Sequence, residues 1–324
     1  MRRRLIISCG DVNGIGLRCF VGALQHAPLD ADITLAISPS VLEQCIEAYG
    51  LPRSVTADAW QIGSNTVTID ALASSAVITP GMADDDVSRL AIASLERAID
   101  SVGNGTADAM VTLPINKHAL QQVGWTFPGQ TEMVAACVGG VPLMVLCTHD
   151  VRVALATVHI PIRRVADALS ISGILDRIRQ LHDHVQSDVG IAQPRIAVLA
   201  IDPHAGDYGT IGDDDGRIVA PAIMAARTQR IDAHGPFPAD GFFAFGTYRS
   251  FDGILAMYHD QGLIPLKVLA QGAGVNVTAG LRVVRTSPDH GTAYDRALAD
   301  DVDAASTREA LEMAVTIADR RANH

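Results

Sequence analysis

Three histidines in this chain each stand just after an apolar run that reads as a β-strand. His159 lies in Ala156-Thr157-Val158-His159-Ile160-Pro161, His204 in Asp202-Pro203-His204-Ala205-Gly206, and His259 in Met257-Tyr258-His259-Asp260-Gln261-Gly262. Open α/β sheets collect their ligands at the carboxyl ends of strands, so all three fall where a site is expected. Three imidazoles can bind a catalytic divalent metal and leave a coordination position open. Taken singly, each reads more readily as a hydrogen-bonded structural histidine; the shared placement lifts the trio, although its spacing is too long for a local motif. His149, His182 and His184 lack that punctuation and read as surface or structural residues.

Further polar residues cluster between Met257 and Ala293. Lys267 and Arg285 are cations suited to phosphate or carboxylate. Asn276 follows a Gly-rich turn, and Asp289-His290-Gly291-Thr292-Ala293 is a loop able to hold ribose or diphosphate. Asp240, in Gly235-Pro236-Phe237-Pro238-Ala239-Asp240, is a candidate carboxylate or an ordinary turn residue. In Phe127-Pro128-Gly129-Gln130-Thr131-Glu132, Thr131 reads as an anion-holding N-cap with Glu132 in the first turn. Thr112-Leu113-Pro114-Ile115-Asn116-Lys117 places Asn116 and Lys117 beyond a strand, facing a cleft or simply capping a helix. The turn Gly10-Asp11-Val12-Asn13-Gly14-Ile15-Gly16 reads either as a phosphate cradle or as a tight structural turn; it is neither GxGxxG nor a P-loop.

The elements that carry these residues alternate in type. Strands are expected at Leu5–Cys9, Ile33–Ile37, Ala109–Thr112, Met144–Cys147, Val153–Thr157, Arg195–Ala200, Gly253–Met257 and Leu266–Leu269. Helices are expected from the Gly-rich turn to about Gln25, at Ser40–Tyr49 (capped by Ser38 or Ser40), and at Val87–Gly103 behind the acidic run Asp84–Asp86. Further helices are expected at Ile162–His184, Pro221–Ala233 and Thr307–Arg321. Residues 51–80 read as irregular, with β-like pieces near Thr66–Ile69. This alternation predicts an α/β architecture, and a length of 324 residues predicts two lobes.

Composition narrows the function classes. Hydrophobic residues make up 48% and charged residues 19%, which excludes a disordered chain. Aromatics are only 4%, so the core must be aliphatic, as in helices packed on a buried parallel sheet. The 25 Lys and Arg against 36 Asp and Glu give −11, which argues against nucleic-acid partners. The cysteines Cys9, Cys19, Cys45, Cys137 and Cys147 form no CxxC pair and read as reduced thiols of a cytoplasmic protein. The apolar run after Arg2-Arg3-Arg4 ends by Ser8, too soon for a signal peptide. No stretch approaches the roughly 20 apolar residues that cross a bilayer.

In order, GDVNGIG, VTLPINK, FPGQTE, VALATVHIPIRRV, DPHAGDYG, GPFPAD, AMYHDQGLIPLK and GVNVTAGLRVVRTSPDHGTA resemble the 4-hydroxythreonine-4-phosphate dehydrogenase family of vitamin B6 synthesis. They span residues 10–295. The resemblance implies two α/β lobes related to the isocitrate and isopropylmalate dehydrogenases rather than a standard Rossmann domain. Residues 1–130 with 280–324 are then a cofactor-binding lobe. Residues 131–279 are a lobe carrying metal, substrate and dimer contacts. It implies His159, His204 and His259 as metal ligands, and Gln130, Thr131, Lys267, Asn276 and Arg285 as substrate-binding residues. Asp289 to Ala293 then form the cofactor loop, with Lys267 or Asp240 in proton transfer.

The implied enzyme is a homodimer with its site at the interface. It uses NAD or NADP and one divalent ion per subunit: zinc, cobalt, manganese or magnesium. It oxidises 4-phosphooxy-L-threonine and decarboxylates the product to 3-amino-2-oxopropyl phosphate. Relatives acting on a sugar-acid phosphate or a cis-dihydrodiol dicarboxylate, and a non-catalytic phosphate-ligand binding protein, are the competing readings. The chain departs from the family pattern in four places: Gln130 replaces the usual His, the common GDPxGIG has become GDVNGIG, Arg18 stands where Glu is usual, and residues 294–300 lack the usual Ala-Gly.

Overall fold

The computed structural model describes residues 2–25 and 27–323. They form two compact units, Met1–Pro142 with Leu281–Asp319, and Leu143–Gly280 with Arg320–His324. Among the described residues the strands are β1 (Arg3–Ser8), β2 (Ala31–Ile37), β3 (Ala59–Ile62), β4 (Asn65–Ala71), β5 (Ala109–Thr112), β6 (Gly140–Cys147), β7 (Arg152–Leu155), β8 (Arg195–Leu199), β9 (Asp232–Phe237), β10 (Gly253–Ala256), β11 (Val275–Leu281) and β12 (Val284–Pro288). The α-helices are α1 (Gly16–Gln25), α2 (Pro39–Tyr49), α3 (Asp85–Gly103), α4 (Lys117–Gln122), α5 (Gln130–Val138), α6 (Val165–Ala168), α7 (Ile171–Ser187), α8 (Ala220–Thr228), α9 (Ala239–Ala244), α10 (His259–Ala270) and α11 (Ala305–Ala322).

In the first unit the strand order is β3-β4-β2-β1-β5-β12. All neighbours are parallel except the β3–β4 hairpin. Leu5, Ile6 and Ile7 of β1 are buried on both faces, as a parallel strand covered by helices requires. α3 starts at Asp84, whose carboxylate accepts from the Asp86 and Val87 N–H groups. It buries Leu90, Leu95, Ala98 and Ile99 against the sheet. Met133 and Val134 of α5 share a core cluster with Leu95 and Ile99, so this unit runs to Pro142 rather than ending near 130. The chain winds outward from β1 through β2 to β4, then returns to β5 on the other side. That reversal puts the loops after β1 and β5 side by side, at a topological switch point.

In the second unit the order is β11-β6-β7-β10-β8-β9. β6 is antiparallel to β7, while β7, β10, β8 and β9 run parallel. Much of the small aromatic content gathers here. Phe237, Phe242 and Phe251 meet with ring centroids 5.1–5.8 Å apart. His184 is structural, as its lack of strand-end punctuation predicts: Nδ1 pairs with Asp188 Oδ2 at 2.8 Å, buried. Arg321 donates to both Asp188 oxygens, at 2.7 and 2.8 Å.

Four expected elements differ. Residues 266–269 belong to α10, not to a strand. Its inward face is Gly262, Leu263 and Leu266, but Ile264, Val268 and Leu269 on the outward face are also apolar, so the helical period is masked. Residues 232 and 233 open β9, because Arg230 at φ 64° ends the preceding helical segment. Residues 162–184 break at Leu169 and Ser170 before α7. Part of the irregular 51–80 region forms the β3–β4 hairpin. No helix among the described residues is long and apolar enough to cross a membrane.

Candidate active site

Arg285 on β12 is 4% exposed. Its Nη2 and Nε donate to Thr112 Oγ1 at 2.7 and 3.1 Å, and its Nη1 to Thr131 Oγ1 at 3.2 Å. Burial pulls the guanidinium down to about 10, while Glu132 nearby works the other way; it stays charged at neutral pH. Its hydroxyl partners orient the cation and carry no charge themselves. Thr131 is therefore not an N-cap. Gly129 holds that position and α5 begins at Gln130, so the Thr131 hydroxyl is left to accept from Arg285. Gln130 Nε2 donates to the Leu113 carbonyl at 3.1 Å, and its Oε1 is buried with no donor.

The Thr112–Lys117 segment works differently from its sequence reading. Asn116 caps α4, accepting from Ala119 N–H at 3.1 Å, and Lys117 is exposed in the first turn. The residues that reach the site are Thr112, whose hydroxyl orients Arg285, and Leu113, whose carbonyl holds Gln130. The missed signal was the hydroxyl at the last strand position, directly before the loop.

The Gly10–Gly16 turn resolves as structural. Ile15 N–H donates to the Thr292 carbonyl at 2.9 Å, and a Cβ on Gly14 would sit 2.4 Å from that oxygen. Gly10, at φ 60°, lies against Pro114, where a Cβ would approach the carbonyl oxygen to 2.4 Å. The Tyr294 hydroxyl donates to Asp11 Oδ2. This turn is a platform for residues 289–297, not a phosphate cradle. Within that loop, His290 Nδ1 lies 3.1 Å from the Gly291 carbonyl, so it carries the proton, and Nε2 accepts from Thr307 Oγ1 at 3.2 Å. Burial lowers the His290 pKa and keeps the ring neutral.

In the second unit His159, His259 and His204 follow β7, β10 and β8, three neighbouring parallel strands. The rings of His159 and His259 lie 5.8 Å apart. His259 Nδ1 pairs with Asp260 Oδ1 at 2.7 Å, which orients the ring and turns Nε2 away from that carboxylate. His204 is not brought into a three-residue cluster; among the described residues no group of three or more His, Cys, Asp and Glu converges. It is exposed and opens a run of five left-handed residues, His204 to Tyr208. Each non-glycine residue there costs roughly 1–2 kcal/mol. The run is pinned by Ile211 N–H on the Gly206 carbonyl at 3.1 Å and by Asp215, which accepts from the Ile201 and Asp202 N–H groups.

Asp240 is exposed at the start of α9, after β9. Lys267 is exposed on α10, eight residues past His259 and so about 12 Å further along the helix axis. Asn276 lies on β11, with a buried Oδ1 that has no donor.

Residues 30–314 match the family described as pyridoxal phosphate biosynthetic protein PdxA. The chain belongs to this family. It is 38% identical over 333 residues to a 4-hydroxythreonine-4-phosphate dehydrogenase of Bacteroides thetaiotaomicron, covering 97% of this chain and 88% of the relative. It is 39% identical over 331 residues to one of Erythrobacter litoralis, covering 99% and 98%. The solved structure of 4-hydroxythreonine-4-phosphate dehydrogenase from Klebsiella pneumoniae superposes with a TM-score of 0.86 at 33% identity, covering 98% of both chains. PdxA-family membership bears out the resemblance and the α/β fold expected from the sequence. It makes the chain an oxidoreductase relative in pyridoxine biosynthesis, for which a nicotinamide cofactor is implied.

Proposed function

We propose that this chain oxidises 4-phosphooxy-L-threonine with NAD or NADP and decarboxylates the product to 3-amino-2-oxopropyl phosphate, as the metal-dependent dehydrogenase of its family. The observation that carries the reading is the buried Arg285, oriented by Thr112 and Thr131 beside the start of α5. A desolvated guanidinium aimed by neutral hydroxyls is a seat for a phosphate or carboxylate. Gln130 and Asn276, each with a buried acceptor lacking a donor, are the expected partners of substrate hydroxyl or ammonium groups.

The donor set fits a divalent ion. Two imidazoles stand side by side, and Asp260 fixes the tautomer of one of them, as the carboxylates behind ligating histidines do. His159, His259 and His204 would hold zinc, cobalt, manganese or magnesium. When bound, the ion would supply Lewis acidity at the substrate's secondary alcohol, and a nicotinamide would supply the hydride acceptor. Arg285 and Thr131 hold the anionic group, while Lys267 or Asp240 takes the hydroxyl proton. The ketone formed sits β to the carboxylate; the carbon–carbon bond then breaks, CO₂ leaves, and the electron pair left behind is protonated. Asp289 to Ala293 receive the cofactor.

In the homodimer that the family resemblance implies, the exposed side chains of Ile160, Ile162, Tyr208, Ile264 and Val268 in the second unit are candidates for coverage. In that assembly His204 of one copy completes the histidine pair of the other. The test is reduced-nicotinamide absorbance on adding 4-phosphooxy-L-threonine, with and without a chelator. Chelator-sensitive reduction supports the reading. No reduction by metal-loaded dimer overturns the substrate.

A further inference from the structure

Two of this chain's departures from its family pattern touch each other. Arg18, where Glu is usual, donates from Nη1 to the Ala297 carbonyl at 3.0 Å and to the Arg296 carbonyl at 3.4 Å. Tyr294, first residue of the segment lacking the usual Ala-Gly, donates its hydroxyl to Asp11. Asp11 is 1% exposed, and its other oxygen accepts from Asn13 N–H at 3.0 Å. Asn13 is itself fixed at both ends of its amide, to the Met82 carbonyl at 2.9 Å and the Thr79 N–H at 2.8 Å.

Between these anchors lies Ala293, at φ 43° and ψ 59°. A residue with a Cβ stays in the left-handed region only where its surroundings over-determine it. Here the Thr292 carbonyl is held by Ile15 on one side, and the Tyr294 hydroxyl by Asp11 on the other. Arg18 then ties down the turn that follows.

We propose that Arg18 and Tyr294 are positioning residues that hold residues 289–293 in their cofactor-receiving shape before the cofactor arrives. The proposal rests on the reading of that segment as the cofactor loop. A loop ordered in advance loses no conformational freedom on binding and so binds more tightly.

The test compares the full-length wild type with Tyr294→Phe, Arg18→Ala, Arg18→Glu and Arg18→Lys. Amide hydrogen exchange at 289–300 is followed without cofactor, and reduced-nicotinamide affinity by its fluorescence. Tyr294→Phe and Arg18→Ala each speed exchange in this segment and weaken cofactor binding about tenfold. In both, circular dichroism shows the fold retained, and kcat at saturating cofactor stays near wild type. Arg18→Glu, which restores the family residue, is worse than Arg18→Ala because it sets a carboxylate against two carbonyl oxygens. Arg18→Lys keeps a donor and recovers most of the affinity. Unchanged exchange in Tyr294→Phe and Arg18→Ala overturns the positioning role. Faster exchange with unchanged cofactor affinity overturns instead the assignment of cofactor to residues 289–293.

Discussion

Arg285 and Thr112 are bound through one hydroxyl oxygen, which accepts from Nη2 at 2.7 Å and Nε at 3.1 Å. The sheet register explains the pairing. Arg285 on β12 lies opposite Met110 on β5, and Thr112 is two residues further along the same face. The guanidinium therefore extends along the sheet toward the carboxyl end of β5, where Thr131 waits at the start of α5. Strand alternation and one register choice aim the cation.

Arg285→Lys keeps the charge but loses the planar fork that reaches both threonines. The variant is expected to bind substrate about 10–100-fold more weakly, the range for losing hydrogen bonds to a charged group. Calorimetric titration checks this, and circular dichroism checks that the fold persists. An affinity within twofold of wild type would remove Arg285 from the anion seat.

Asp260 reaches the candidate metal site through its pairing with His259. Asp260→Ala frees the imidazole to rotate and to change tautomer, and is expected to lower zinc affinity about 10–100-fold. His204→Ala is expected to abolish metal-dependent turnover with folding preserved. Metal content after dialysis against a graded chelator, measured on the dimer, separates these outcomes. Full metal retention in Asp260→Ala would leave the pair a surface contact.

Much of this site was legible without coordinates, and the reasons are local. β1, α3 behind the acidic run Asp84–Asp86, and the strands before the three histidines all announce themselves by apolar runs, charge and punctuation. What stayed hidden depends on partners distant in sequence. The Gly10–Gly16 turn reads as a cradle until Thr292 and Tyr294, nearly 280 residues away, are seen to occupy it. Thr112 gives no sign of its role until β12 is placed beside β5. α10 was hidden because its outward face is as apolar as its inward one, and Pro265 inside it reads as a breaker.

Acid sensitivity should trace to Asp188. Burial alone would raise its pKa, but Arg321 and His184 outweigh that and hold the carboxyl below its ordinary range. A carboxyl depressed in the folded state stabilises above its unfolded pKa, about 3.9, and loses that contribution as pH falls toward the folded value. The thermal midpoint of the wild type is therefore expected to drop below about pH 4. Asp188→Asn is expected to be less stable at neutral pH by about 1.5–3 kcal/mol and to show a shallower fall in acid. Parallel acid profiles for the two proteins would assign the drop elsewhere.

Thiol labelling discriminates sharply among the cysteines. Burial pushes the thiols of Cys9, Cys19 and Cys147 up to about 12, and Cys45 is likewise buried and raised. Cys137 is exposed. Iodoacetamide at neutral pH should therefore modify Cys137 first, with the other four protected until unfolding. Peptide mapping by mass spectrometry reads this directly, and early modification of Cys9 or Cys147 would contradict the packing around β1 and β6.

Two glycine substitutions separate loop positioning from general stability. A Cβ on Gly14 would lie 2.4 Å from the Thr292 carbonyl oxygen, a backbone atom that cannot swing aside. Gly14→Ala must displace either the turn or residues 289–297. It is expected to weaken nicotinamide binding at least about tenfold, because a displacement near 1 Å is enough to misplace a binding group. Gly103 ends α3 with nothing within 4 Å of its would-be Cβ and no left-handed φ. Gly103→Ala should leave cofactor affinity unchanged and stabilise the protein by about 0.5–1 kcal/mol, through better helix propensity and a less flexible unfolded chain. Cofactor titration and thermal melting of both variants give the comparison. Equal cofactor affinity in the two would mean that the 10–16 turn does not support the loop above it.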